Sequence, residues 1–179
     1  MAVQADARAI ARVGVSVALL AVSAWVSIPA GPVPFTLQTA VLAVLPGALS
    51  GWAPVAAVAA YVLLGALGLP VFSSFGAGAG VLAGPTGGFL WGFIVGMAAA
   101  VALLRVLPQK PPLFARVVIV DVVMLLVTYA CGTVQLMAVA SLGAAPALAA
   151  AVIPFIVPDA VKLAVGASIG CAVARALGK

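Results

Sequence analysis

The sequence contains no histidine, two cysteines and three acidic residues among 179. Each scarcity excludes a kind of chemistry. Without histidine, the commonest general base and the commonest metal ligand are both missing. An intramembrane serine or metalloprotease mechanism therefore lacks its Ser–His pair and its ligand set. An intramembrane aspartyl protease needs two facing carboxylates, and Asp121 and Asp159 are expected near opposite faces. Cys131 and Cys171 lie in separate apolar runs without metal-type spacing and read as small core residues. No catalytic residue, metal ligand or enzymatic activity is expected.

Charge is scarce too. Only 6% of residues are charged while 66% are hydrophobic, too few charges to wet the surface of a soluble domain of this length. The net charge of +5 comes from basic residues scattered along the chain, which do not form the stripe that nucleic acid requires. No nucleic-acid partner is expected. The partner the composition demands is the lipid bilayer.

Apolar runs bounded by Pro, Gly or charge give a coarse map. A helix needs about 20 residues to cross the hydrocarbon layer. The first run is 13–28, read as a retained span rather than a cleaved leader, because no small-residue cleavage pattern follows it. The stretch from Leu37 to Leu69 is too long for one crossing and slightly short for two. Basic residues stay on the cytoplasmic side, and this settles the count. Arg8 and Arg12 precede the first run, Arg105, Lys110 and Arg116 flank the linker after the fourth, and Arg175 and Lys179 end the chain. If 37–69 is a hairpin, all three clusters share one side. The expectation is an all-α membrane protein forming a single integral membrane domain over 1–179. Its six transmembrane helices lie at approximately 13–28, 37–50, 54–69, 89–107, 117–139 and 159–177, with both termini cytoplasmic in a bacterial-type inner membrane.

Three uncharged segments rich in Pro or Gly then fall on the outer side: 29–36, 70–88 and 141–158. Irregular backbone at membrane depth is tolerated only when packed in protein or lining a cavity. The segments either cap an outward-facing pocket or merely connect helices.

Polar residues are few enough to weigh singly. Asp6 reads as a solvated tail residue. Asp121 follows Arg116 and reads as a paired interfacial charge, or as a contact to a partner subunit. Asp159 and Lys162 are three residues apart on one helix face. Asp159 can serve the free amides and dipole of a helix that begins near Pro158, with Lys162 reaching outward along its own stem. Alternatively the pair binds a ligand. A lysine near membrane depth costs about 2.5–3.5 kcal/mol and usually marks a pathway, and an acceptor-only carboxylate beside a donor-only ammonium suits a small molecule bearing N–H groups and a carbonyl or acid. The glycine-rich runs 75–80 and 84–88 carry no Gly-Lys-Ser/Thr and are not phosphate loops. They let backbone approach a ligand or a helix closely. Gly14 and Ala18 form a small-xxx-small pair, by default for packing within the chain and otherwise for docking another membrane protein. A channel would show a ring of charge or a repeated filter, and neither is visible.

Four segments in order resemble signatures of the BioY family, the biotin-binding S components of energy-coupling-factor (ECF) vitamin transporters. They are Ile28-Pro29-Ala30-Gly31-Pro32-Val33-Pro34-Phe35-Thr36-Leu37-Gln38-Thr39, Leu64-Gly65-Ala66-Leu67-Gly68-Leu69-Pro70-Val71-Phe72, Gly84-Pro85-Thr86-Gly87-Gly88-Phe89, and Ile153-Pro154-Phe155-Ile156-Val157-Pro158-Asp159-Ala160-Val161-Lys162. The resemblance implies the six-helix S-component fold and high-affinity capture of biotin for uptake. The other vitamins of such transporters, riboflavin and thiamin, suit the Asp-Lys pair less well. By the same resemblance Asp159 and Lys162 are ligand-site residues, and Thr36, Gln38, Gly78, Gly80 and Thr86 add polar and backbone contacts. Phe35, Phe75 and Trp91 are candidates for packing on the ligand ring. Gly14 and Ala18 stand where the family usually has an Ala-x-x-x-Ala docking motif. The implied partners are a transmembrane coupling protein and two ATPase subunits. ATP is consumed by those subunits and no cofactor belongs to this chain. A homo-oligomer is allowed when the chain stands alone.

Overall fold

The structure, a computed structural model, describes residues 2–29 and 31–178, with the side chains of residues 2–6 outside that description. Asp6, read above as solvated, therefore has its side chain outside the described residues.

Helix α1 runs Ala2–Trp25 and leads into a two-residue antiparallel hairpin, β1 (Ser27–Ile28) and β2 (Phe35–Thr36), which pairs Ser27 with Thr36 and Ile28 with Phe35. Two shorter apolar helices follow, α2 (Gln38–Ala48) and α3 (Ala53–Ala66). The turn between them passes through Gly51 at φ +63, a conformation that costs glycine no Cβ clash, and Pro54 sits in the first turn of α3, where its missing N–H is not needed. The long apolar stretch 37–69 is thus two helices with a tight turn. At 1.5 Å per residue neither reaches the roughly 30 Å of a hydrocarbon layer unaided. A 3₁₀ turn (Ser73–Phe75), short α4 (Ala79–Ala83), long α5 (Gly87–Val106) and α6 (Leu113–Ala140), then α7 (Ala144–Ala151), a 3₁₀ turn (Ile153–Phe155) and α8 (Ile156–Ala176) complete the chain.

Among the described residues, four stretches are long and apolar enough to cross a membrane: Ala7–Trp25, Gly87–Val106, Leu113–Ala140 and Ala144–Ala176. The first helix starts well before the apolar run that suggested it. The 144–151 part of the last was expected as loop, yet its alanine-rich sequence is strongly helix-forming.

Helices approach closely where a side chain is absent. Along the antiparallel α5–α6 contact, a Cβ at Gly92 would come 2.8 Å from Thr128 Cα, and one at Gly96 2.6 Å from the Met124 carbonyl oxygen. Along the parallel α2–α8 contact, Gly47 and Gly170 meet the same way. The main core draws Leu20, Leu42, Tyr61, Met97 and Met124 from five helices. A second cluster of Leu136, Ala147, Ala151 and Phe155 packs α7 against α6. The outward faces stay greasy: Leu126, Val134, Val161 and Ile10 are each more than 60% exposed. A soluble monomer does not tolerate such faces. This is a membrane protein's exterior.

Apart from Lys162, the basic residues lie toward one end of the bundle: Arg8 and Arg12 in the first half of α1, Arg105 and Arg116 about the α5–α6 linker, and Arg175 at the end of α8. Arg105 stacks over the Trp52 ring in the α2–α3 turn, its guanidinium 4.8 Å from the centroid. Arg116 donates to the Leu104 carbonyl at 3.1 Å and to Gln109 Oε1 at 2.5 Å, tying the α5–α6 linker. Asp121 does not pair with it. Asp121 is 0% exposed, and among the described residues neither carboxylate oxygen has a hydrogen-bond partner. The expectation of a paired interfacial charge fails because the guanidinium turns back toward the linker while Asp121, five residues on, faces the packed interior.

A polar cavity at the start of α8

At the end of the bundle away from the basic cluster, a cavity opens between the hairpin, the starts of α2, α5 and α8, the middle of α6 and the α7 segment. About 660 Å³ of free space lies within it and its open mouth together. The three segments read as a possible cap all contribute: Val33 and Pro34 from the hairpin, Phe72 and Ser73 before α4, and Ala151 at the end of α7 with Phe155 after it.

Asp159 and Lys162 line this cavity and are 2% and 8% exposed. Their side chains form an ion pair, Nζ to Oδ1 at 2.9 Å. Asp159 is the fourth residue of α8, but its carboxylate does not serve the helix amides. It turns sideways and accepts from Thr39 Oγ1 at 2.8 Å on Oδ1 and from Tyr129 Oη at 2.7 Å on Oδ2. Nor does Lys162 reach outward. Its ammonium donates to the Thr36 carbonyl at 2.7 Å and lies 3.7 Å from the centroid of the Phe35 ring, which in turn stacks on Phe155. The hairpin delivers both Phe35 and the Thr36 carbonyl, so a two-residue strand pair explains how an irregular, proline-rich segment holds a buried lysine.

A second polar chain continues from Thr36 and Gln38, which line the cavity beside the pair. Gln38 Nε2 donates to Tyr61 Oη at 2.8 Å, and Tyr61 Oη donates to the Val71 carbonyl at 3.1 Å. Thr36 Oγ1 meets Gln38 Oε1 at 3.2 Å. Gln135 Nε2 donates to the carbonyls of Leu82 and Gly84, both at 2.8 Å, and so fixes the segment that brings Thr86 and Phe89 to the cavity.

Of the residues expected at the site, Thr36, Gln38, Thr86, Asp159 and Lys162 line one cavity, and Phe35 sits directly beneath the lysine. Four others do not come with them. Trp91 is 47% exposed on the outer face of α5, one helical step from the lining residues Leu90 and Phe93. Phe75 is 62% exposed and stacks on Trp25 instead. Gly78 has a φ of +88, Gly80 has open space where a Cβ would stand, and neither lines the cavity. Thr39, Tyr61, Tyr129 and Gln135 were missed. The two tyrosines are the only ones in the chain, and both put a polar tip inside an apolar helix, which is the signal that would have found them.

Gly14 and Ala18 are exposed on α1, with nothing within 4 Å of a Cβ placed on Gly14. Packing within the chain, the default expectation for this pair, is therefore not their use. Among the described residues, no group of three His, Cys, Asp or Glu side chains comes together as a metal site.

A helical membrane bundle with a small, polar-lined cavity at one end has the make-up of a protein that binds a solute at the bilayer. The whole chain, residues 1–179, matches the family described as the BioY family. It is similar to the biotin transporter BioY of Thermotoga maritima, 43% identical over 162 residues covering 90% of this chain and 93% of the relative. It is also similar to the biotin transporter BioY2 of Lactococcus lactis subsp. cremoris, 32% identical over 92% of this chain and 89% of the relative. Among solved structures, the S-component for biotin from an ECF-type ABC transporter superposes with a TM-score of 0.86, at 21% identity over 98% of this chain and 94% of that one, a likeness of fold. The chain belongs to the BioY family.

Proposed function

We infer that this protein captures biotin and mediates its uptake, as the substrate-specific subunit of an ECF-type transporter. The observation that carries the reading is the set of hydrogen-bonding positions left free on the Asp159–Lys162 pair. A carboxylate has about four lone-pair sites and an ammonium three donors. Oδ1 takes Thr39 and Lys162 while Oδ2 takes only Tyr129. Two of the ammonium's donors go to Asp159 and Thr36. By that count one acceptor position on Oδ2 and one ammonium donor remain, on two residues that line the cavity. A cyclic urea presents the complement, an N–H next to a C=O, and the apolar lining from Phe72, Phe89, Leu90 and Phe93 suits a thioether ring and an alkyl tail. Names of the relatives at 43% and 32% identity point to the same ligand.

In this reading six helices cross a bacterial inner membrane, α2 and α3 among them, with both termini and the basic end cytoplasmic as positive-inside placement requires. The cavity then faces outward. The open Gly14–Ala18 face of α1 receives a transmembrane coupling protein, and two ATPase subunits hydrolyse the ATP; the chain uses no cofactor of its own. The test is equilibrium binding of labelled biotin to the purified protein in detergent. Saturable binding that Asp159→Asn and Lys162→Ala abolish supports the reading, and a folded wild-type preparation that leaves biotin free rules it out.

A further inference from the structure

The segment between α3 and α4 holds a conformation that its sequence resists. Ser74 and Phe75 are consecutive non-glycine residues at φ 54 and 59, a left-handed region that side chains of this kind rarely enter, least of all in succession. Burial does not compensate, since Phe75 is 62% exposed. Strain of this sort persists only where surrounding contacts over-determine it. Those contacts are visible. Within the segment, Phe72 N–H donates to the Gly76 carbonyl and Gly76 N–H to the Ser73 carbonyl; Gly78 N–H donates back to Gly65 at the end of α3. The side-chain link from elsewhere comes from Trp25, the last residue of α1. Its indole N–H donates to the Pro70 carbonyl at 2.8 Å, and its ring stacks on Phe75 with centroids 5.2 Å apart and planes 27° from parallel.

The strained turn has a consequence at the cavity. Phe72 and Ser73, which immediately precede it, line the cavity wall. Phe72 is 1% exposed and meets Tyr61 edge-on at 5.6 Å, next to the Tyr61–Gln38 hydrogen bond. The backbone after Phe72 must therefore reverse at once, and the left-handed pair at 74–75 makes that reversal.

We propose that Trp25 is a positioning residue for the ligand cavity: by clamping Pro70 and Phe75 from α1, it holds the strained 73–75 turn that presents Phe72 and Ser73 to the ligand. Because α1 is one unbroken helix, a displacement of α1 in the membrane is felt directly at this wall. A tryptophan that merely anchored the protein at the bilayer surface would leave residues 70–78 indifferent to its removal.

The proposal rests on the biotin reading for its ligand measurement alone, so the experiment carries a second, ligand-free readout. Hydrogen–deuterium exchange across the purified protein would be followed for wild type, Trp25→Ala, Trp25→Phe and Phe75→Ala, with biotin dissociation rates measured in parallel. Expected is at least tenfold faster exchange confined to 70–78 in Trp25→Ala and Phe75→Ala, and about tenfold faster biotin release. Trp25→Phe, which keeps a ring to stack, should recover most of both, and the double variant Trp25→Ala/Phe75→Ala should be no worse than Trp25→Ala. Unchanged exchange at 70–78, exchange raised evenly over all helices, or loosened 70–78 with biotin release unaltered would each overturn it. If wild type binds no biotin, the functional reading falls and the exchange pattern alone decides whether Trp25 holds the turn.

Discussion

On α8, the carboxylate of Asp159 accepts hydrogen bonds from three side chains, while on α6, eight residues from one of those donors, the equally buried Asp121 accepts none. Both residues are at most 2% exposed. Around Asp159 polar side chains are gathered: Thr36, Gln38, Thr39, Tyr61, Tyr129 and Lys162 lie within one connected region. Around Asp121 it offers Val117, Ala167 and Cys171 of the cluster where α6 meets α8. Burial alone therefore does not mark a binding carboxylate. What distinguishes Asp159 is that its donors fix its orientation and still leave one position open toward a cavity. A satisfied buried network specifies geometry, and an unsatisfied buried group is a cost.

The strongest way to break the contrast is to unbalance the satisfied pair. Asp159→Asn would leave the Lys162 ammonium buried without its counter-charge, a loss of about 3–5 kcal/mol by the record of broken buried pairs, and biotin binding should fall by at least 100-fold. Lys162→Ala should do the same from the other side. Titration with labelled biotin measures both. An affinity within threefold of wild type in either variant would remove the pair from the binding site and leave the two carboxylates alike.

Tyr129→Phe is milder and sharper. It deletes the donor to Oδ2 and nothing else, and hydrogen bonds to charged groups are worth about 1.5–3 kcal/mol. A roughly tenfold loss of affinity with a drop of a few degrees in melting temperature is expected. Should the variant bind more tightly, Tyr129 competes with the ligand for Oδ2 instead of orienting it.

Gly96→Ala probes packing in place of polarity. The added methyl would press on the Met124 carbonyl of α6 at 2.6 Å, and overpacking of this kind costs about 1–3 kcal/mol. Thermal stability in detergent should drop by several degrees while biotin affinity in the surviving fold holds. Loss of affinity without loss of stability would show that α5–α6 spacing shapes the cavity.

How far the sequence foretold this arrangement differs between the two regions for a physical reason. Helix positions were partly legible because apolar runs end at Pro, Gly and charge, and the stretch 37–69, too long for one crossing, does contain two helices. The Asp159–Lys162 spacing announced a shared helix face. What was not legible depends on contacts distant in sequence. The donors Thr39 and Tyr129 lie 120 and 30 residues from Asp159, and no local pattern encodes their convergence. Trp91 and Phe75 were misplaced because an aromatic near a glycine-rich segment carries no information about which way it faces. Asp121 misled for the same reason: Arg116 is near in sequence, but its guanidinium is committed to Leu104 and Gln109.

Asp121→Leu should have the smallest effect on binding. With no partner on either oxygen, the carboxyl contributes desolvation cost and no compensating hydrogen bond, and buried polar groups left unmatched cost about 1–3 kcal/mol in proteins. Leucine keeps the branched skeleton and removes that cost, while its bulkier methyls offset part of the gain, so the melting temperature is expected to stay level or rise by a few degrees and biotin affinity to stay within twofold. The variant separates two meanings of an ionisable residue inside a membrane helix, which by default marks function. If binding collapses as it should in Asp159→Asn, the two carboxylates belong to one site and the contrast drawn from their surroundings is wrong. If binding and stability behave as expected while uptake by cells ceases, Asp121 acts after capture, in an arrangement of the helices that gives its oxygens the partner they lack here.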